Sequence, residues 1–187
     1  TWYYGHIIYN PTTDTVAGLL STSWTAPTLP SGYTFSAPIG AVYNASDGHL
    51  RLLYQRGERV NADVSVVILA GGSATSSTSI SLASAIPPVA LTYEWSSDYL
   101  QAIADSGGFV TIRAILLLRS GGDELGAHIG GYVIQGGTAS QWSGGAGPKL
   151  ELPNLNQTIW YHIAVGSGSS QTLQASIPSF TLPIGGQ

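Results

Sequence analysis

Apolar, aromatic and β-branched residues in this chain come in short runs, and nearly every run is cut off by Gly, Pro, Asn or Ser. Runs of that length, bounded that way, suit strands and leave no room for amphipathic helices of ordinary length. Trp2–Tyr9 is aromatic and β-branched and stops at Asn10-Pro11. Thr15–Ser21 follows a Pro-Thr-Thr-Asp turn composition, so the two runs are expected to pair as a hairpin. Pro27, Pro30 and Gly32 then break the chain. Ile39–Tyr43 and Leu50–Gln55 flank Asn44–Gly48, whose Asp-Gly step marks a second hairpin. Val64–Leu69, Val89–Trp95, Phe109–Arg119, Ala127–Gln135, Ile159–Val165 and Leu173–Phe180 complete the expected strands.

Phe109–Arg119 is apolar on both faces, as in a strand central to its sheet or one whose second face meets another subunit. Ser97–Ala104 is the one place where a short helix is expected: an N-cap serine, Asp98 in the first turn, and apolar Leu100, Ile103 and Ala104. Residues 71–81, rich in Gly and Ser, read as a long surface loop between continuing strands, with a domain boundary as the alternative. The expected fold is all-β: one antiparallel β-sandwich or jelly-roll-like domain over residues 1–187, with at most that one helix. A doubly wound α/β fold is excluded because crossover helices are missing. A short echo links Thr1–Ile7 with Thr158–Ile163, either a repeat or two similar aromatic strands.

The chemistry is limited by composition. Charged residues make up 9% of the chain, and the net charge is -4 with a single lysine, Lys149. Nucleic acid is therefore not an expected partner, since phosphate binding needs a clustered basic face. Without cysteine there is no disulfide, thiolate site or Cys nucleophile. His6, His49, His128 and His162 are scattered without metal-ligand spacing, so no metal or other cofactor is expected; His6 and His162 read as packing residues. Nucleophile elbows and phosphate loops are absent, and Gly144–Lys149 reads as a turn. The longest apolar stretch, Ala114–Leu118, is too short to span a bilayer, so no membrane insertion is expected. Methionine is absent and the chain begins at Thr1, which suggests a processed product or the distal part of a longer chain.

The first sixty residues carry a more particular order. Trp2-Tyr3 is followed by Ile7–Asn10, Asp14-Thr15 and Leu20–Ser23. Pro27–Thr34 (Pro-Thr-Leu-Pro-Ser-Gly-Tyr-Thr), Ile39–Val42, Leu50-Arg51 and Tyr54–Gly57 close the series. This order resembles a module of bacteriophage and prophage virion proteins, of the tail-fibre or spike kind. The resemblance covers about the first third and does not extend to residues 61–187. It implies a structural or host-contacting part of a virion, with other virion proteins as partners. It carries no catalytic residue, so the chain is not expected to be an enzyme. Pro30-Ser31-Gly32 should form a turn, and Gly40 should permit a bulge or a close backbone approach.

Aromatic residues supply the candidate binding site. Trp24, Trp95 and Trp142 lie in or beside loops rich in Ser, Thr and Gly, and flat aromatic faces stack on sugar rings. Gln141-Trp142-Ser143-Gly144 is the favoured segment. The plainer alternative is that each indole is half-buried under a loop or at a subunit contact. Acid pairs such as Asp98 with Asp105 or Glu58 with Asp63 arise by chance, and so few acids argue against a glycoside hydrolase. The expected function is adsorption of a virion, by a distal tail-fibre or spike domain in a homotrimer, to a host cell-surface glycan. Several shallow sites would act together by avidity. A capsid decoration or head-fibre protein with a purely structural role is the alternative.

Overall fold

The computed structural model describes the backbone of residues 1–45, 47–103, 109–117, 124–135, 141–144, 150–165 and 170–184, and the side chains of residues 1–45, 47–96, 151–163 and 173–184. In chain order the strands are β1 (Trp2–Asn10), β2 (Thr15–Ser21), β3 (Phe35–Tyr43), β4 (Leu53–Arg56), β5 (Arg59–Gly72), β6 (Thr78–Ser81) and β7 (Thr92–Ile103). They continue as β8 (Phe109–Leu117), β9 (Glu124–Gln135), β10 (Gln141–Gly144), β11 (Leu150–Pro153), β12 (Thr158–Val165) and β13 (Ser170–Thr181). The fold is all-β, and no helix occurs among the described residues.

These strands make three antiparallel sheets. A three-stranded sheet runs β2-β1-β3. A six-stranded sheet runs β10-β7-β13-β5-β4, with β11 also paired to β7. A four-stranded sheet runs β6-β12-β8-β9. Two of them form a sandwich by period-2 alternation: Ile159, Tyr161 and Ile163 of β12 face inward, as do Tyr93 and Trp95 of β7. Between them pack Ile80, Leu173, Ala175, Ile177 and Phe180, with Leu82 and Ile86 from the turn after β6.

The three-stranded sheet joins the same core through β1. Its inward residues are Trp2, Tyr4, His6, Ile8 and Asn10, all buried, alternating with outward Tyr3, Gly5, Ile7 and Tyr9. Trp2 is the anchor. Its ring meets Phe180 edge-on at 5.6 Å and Tyr43 at 5.0 Å, and its Nε1 donates to the Ala83 carbonyl at 2.9 Å. Arg51 adds a second tie, stacking over Tyr43 at 4.7 Å and donating to the Ser84 carbonyl.

The first hairpin forms as the sequence predicts, with Tyr9 opposite Val16 and Asn10 opposite Thr15. Asn10 sets its turn: the side-chain oxygen accepts from the amides of Thr12 and Thr13 at 3.0 and 3.3 Å. Pro30-Ser31-Gly32 is a turn, closed by the Tyr33 amide donating to the Pro30 carbonyl at 3.1 Å. Gly32 has φ +86°, and a Cβ there would lie 2.6 Å from the Asn10 amide nitrogen. Gly40 has both expected roles. The β1–β3 register shifts beside it, and a Cβ would lie 2.5 Å from Gln55 Oε1.

Four expectations are corrected. Ser97–Ala104 is not a helix: residues 97–103 belong to β7, which pairs with β13 on one side and β10 on the other. Two-sided backbone pairing outweighs a local capping pattern. Residues 71–81 are not one loop, because β5 runs to Gly72 and β6 begins at Thr78. Gln141–Gly144 is strand β10 rather than a loop. After Asn44–Gly48 the second hairpin is reduced to an isolated bridge, Asn44 to Leu50, and the chain crosses to the larger sheet as β4. The two-sided apolar strand, by contrast, is interior as expected, with β8 between β12 and β9.

Candidate functional site

The six-stranded sheet gathers charge on its outward face. Strand register sets Glu151, Glu94, Ser179, Asn61 and Tyr54 directly opposite one another across β11, β7, β13, β5 and β4. Side chains opposite one another on antiparallel strands share a face, so this is one row, in which Ser179 is buried and Glu94 largely so, leaving the Tyr54 end exposed. A second row lies beside it. There Thr181 pairs with Arg59, and Arg59 with Arg56. Thr92 reaches Thr181 hydroxyl to hydroxyl at 2.8 Å. A chain with 9% charged residues thus places Arg56, Arg59, Glu94 and Glu151 on one patch.

The patch is held by its own hydrogen bonds. Arg59 Nη2 forms an ion pair with Glu94 Oε2 and donates to Ser179 Oγ at 2.8 Å. The Thr92 hydroxyl donates to Glu151 Oε1 at 2.8 Å. Such bonds to charged groups hold the side chains in one arrangement before any ligand arrives. Tyr54 closes the row, 55% exposed, its hydroxyl donating to Asp63 Oδ1 at 3.2 Å. That hydrogen bond, and then the negative charge of Asp63, push the Tyr54 phenol above its ordinary pKa of 10.0.

Beside Tyr54 is an open depression of about 410 Å³ lined by Arg51, Leu52 and residues 63–67. It runs along β5 where that strand loses its partner on β13, opposite Pro178. Proline has no amide hydrogen to give a ladder, and β13 loses register to both neighbours there. Opposite that step, residues 62–65 of β5 have no partner on β13. The site is therefore shallow and open, with one exposed aromatic ring and several fixed donors and acceptors. That suits stacking plus hydrogen bonding to a polyhydroxylated ligand.

The tryptophans expected to bind sugar are placed differently. Trp95 is 0% exposed and belongs to the sandwich core. Trp24 is 9% exposed and packs edge-on against Tyr4 at 5.4 Å. Neither presents a face to solvent, so both are corrected to packing residues. Trp142 and Gln141 lie on β10, opposite Ala102 and Ile103 of β7, at the other end of the same sheet. Their side chains lie outside the described residues. Strand register, not aromatic content, carries the signal for the polar row, and it emerges once β5, β7 and β13 are aligned.

His6 is buried, with Nε2 donating to the Ser23 carbonyl at 2.9 Å, as a packing residue should be. Among the described residues, no group of three or more His, Asp or Glu could hold a metal ion. No described helix is long and apolar enough to cross a membrane.

No protein-family model matches the chain. No curated protein matches it either. A solved structure of infectious bursal disease virus, Gx strain, aligns over 97% of this chain and 62% of that chain, with 12% identity and a TM-score of 0.15. The chain thus spans less than two thirds of that structure's chain, and so low a similarity carries no argument about fold or function.

Proposed function

We propose that this chain is part of a bacteriophage virion protein, a distal tail-fibre or spike domain, and that its polar sheet face binds a bacterial surface polysaccharide. The observation that carries the binding reading is the row from Glu151 to Tyr54, an exposed ring set among fixed hydrogen-bonding groups. The resemblance of residues 1–60 to virion modules supports the context. A shallow open face of this kind gives weak single-site affinity, and repeated copies on a particle convert it into firm attachment.

The test is binding of the purified chain to host cells and to their extracted polysaccharide. Tyr54→Ala and Asn61→Ala are expected to weaken binding about tenfold each, equivalent to about 1.4 kcal/mol. If both bind like wild type while Trp142→Ala does not, the ligand lies at the β10 end of the sheet instead. Glu94 and Glu151 face each other across β7 and β11, so sugar release is measured in the same assay. Release abolished by Glu151→Gln would replace binding with hydrolysis. A gold-tagged antibody on intact particles separates the two virion roles. Label at the tail tip agrees with host recognition, and label spread over the head means a decoration or head-fibre protein.

A further inference from the structure

The outward face of the three-stranded sheet is apolar and uncovered. Ile7 of β1, Val16 and Leu20 of β2, and Phe35 and Ile39 of β3 are each about half exposed or more. Val16, Leu20 and Phe35 reach 65%, 61% and 62%. Ile39 belongs to this face because its Cγ1 lies 3.6 Å from where a Gly5 Cβ would stand. None of the three strands holds a charged residue, and the first 46 residues contain a single one, Asp14 in the hairpin turn.

We infer that this face is where a second copy of the chain docks. Three arguments favour that occupant. The first is area. Five large apolar side chains exposed to this degree leave on the order of 500 Å² uncovered, near the top of the ~300–600 Å² seen for the largest patch on a monomer. A stable dimer buries ~800 Å² per partner, of which about 60% is apolar, so the patch supplies the apolar share of one interface. The second is charge. No strand of this face carries a charge, and Asp14, which accepts from the Tyr9 hydroxyl, lies at its hairpin end, so the face meets its own copy without like-charge repulsion across its apolar centre.

The third argument is relief. Register places Ile7 opposite Gly18 and Gly5 opposite Leu20, so large and absent side chains alternate across β1 and β2. Gly18 has open space around it, with nothing within 4 Å of a Cβ position. A two-fold related copy sets Leu20 of each chain into the gap at Gly18 of the other. The same patch then serves both subunits, as an isologous contact requires. This inference does not depend on the sugar-binding reading, which concerns a different sheet.

Light scattering on the full chain after size exclusion tests it. The variants are Leu20→Glu and Val16→Glu, with Tyr54→Ala as a control in the polar row. Both altered side chains are exposed, and unchanged circular dichroism and melting of each variant's monomer verify that it folds. The expected result is a dimer for wild type and Tyr54→Ala, and a 19.4 kDa species for both glutamate variants; a wild-type trimer, as fibre symmetry would give, would overturn the two-fold contact. A monomeric wild type at 100 µM would give the face to another protein and overturn the inference. An oligomer whose mass neither folded variant lowers would overturn it equally.

Discussion

Tyr93 and Trp95 sit side by side on β7 with their rings in the sandwich core, yet the Tyr93 hydroxyl and Trp95 Nε1 are buried without a hydrogen-bond partner. Burial also pushes the Tyr93 phenol well above its ordinary range. A buried hydroxyl without a partner costs about 1–3 kcal/mol of desolvation, while the ring earns its place by packing. Tyr93→Phe keeps the ring and removes the hydroxyl. It is expected to raise stability by about 1 kcal/mol, read as a higher urea midpoint at unchanged slope. Alternation with Thr92 and Glu94 sets both rings on one face of a strand, but which face is inward is not readable from sequence, and the sequence places Trp95 beside a loop as a sugar-binding candidate. What misled was the serine-rich sequence after Trp95, which resembles a loop when the pairing of β7 is unknown.

Tyr54 differs because its hydroxyl faces solvent and Asp63. Its pKa is raised, so the phenol stays protonated above pH 10.0, and the Asp63 hydrogen bond is lost once the pH passes the shifted value. Any stability that bond contributes is thus complete below pH 10 and lost in more alkaline solution. Phenolate absorbance of Asp63→Asn minus wild type is expected to show one tyrosine titrating earlier in the variant. Superimposable curves would mean that Asp63 does not hold Tyr54.

The motifs of the first sixty residues become intelligible as elements meeting. Gln55 on β4 donates to the carbonyls of Ile39 and Gly57 at 2.6 and 3.1 Å, and its amide fills the space that a Gly40 side chain would need. The Ile-Gly-Ala and Gln-x-Gly pieces are thus two sides of one junction between β3 and β4. Gly32 and Asn10 make a second junction of the same kind, between the turn before β3 and the first hairpin. Gly40→Ala is expected to cost about 1–3 kcal/mol by overpacking. Adding Gln55→Ala should make the two costs less than additive, because each change disturbs the same contact. Additive denaturation free energies would show that Gly40 is required for another reason. Sequence reading identified these residues as fold determinants but could not pair them, since their partners lie 15 to 22 positions apart.

At the scale of the whole molecule, three sheets share one core, with Trp2 fastening the small sheet to the sandwich through Phe180 and Ala83. Removing such an indole from a packed core costs about 3–5 kcal/mol. The all-β class and most strands were readable from alternation and breakers, as at Thr15–Ser21, whose bounds agree at both ends. The division into sheets was not, because β7, β13 and β5 are neighbours in space but distant in sequence. The polar row was hidden for the same reason.

Pro178 has a mechanical consequence. Ladder hydrogen bonds resist shear best where register is unbroken, and β13 breaks register with β5 and β7 at the same level. The ladders are therefore interrupted across the middle strands at Pro178, and again around Gln174–Ser176 nearer the β10 end. One panel holds Glu94, Ser179, Asn61 and Tyr54, and the other holds the β10 end. Interrupted ladders yield sooner than continuous ones, so under load the sheet is expected to part along these interruptions before either panel loses its own pairing.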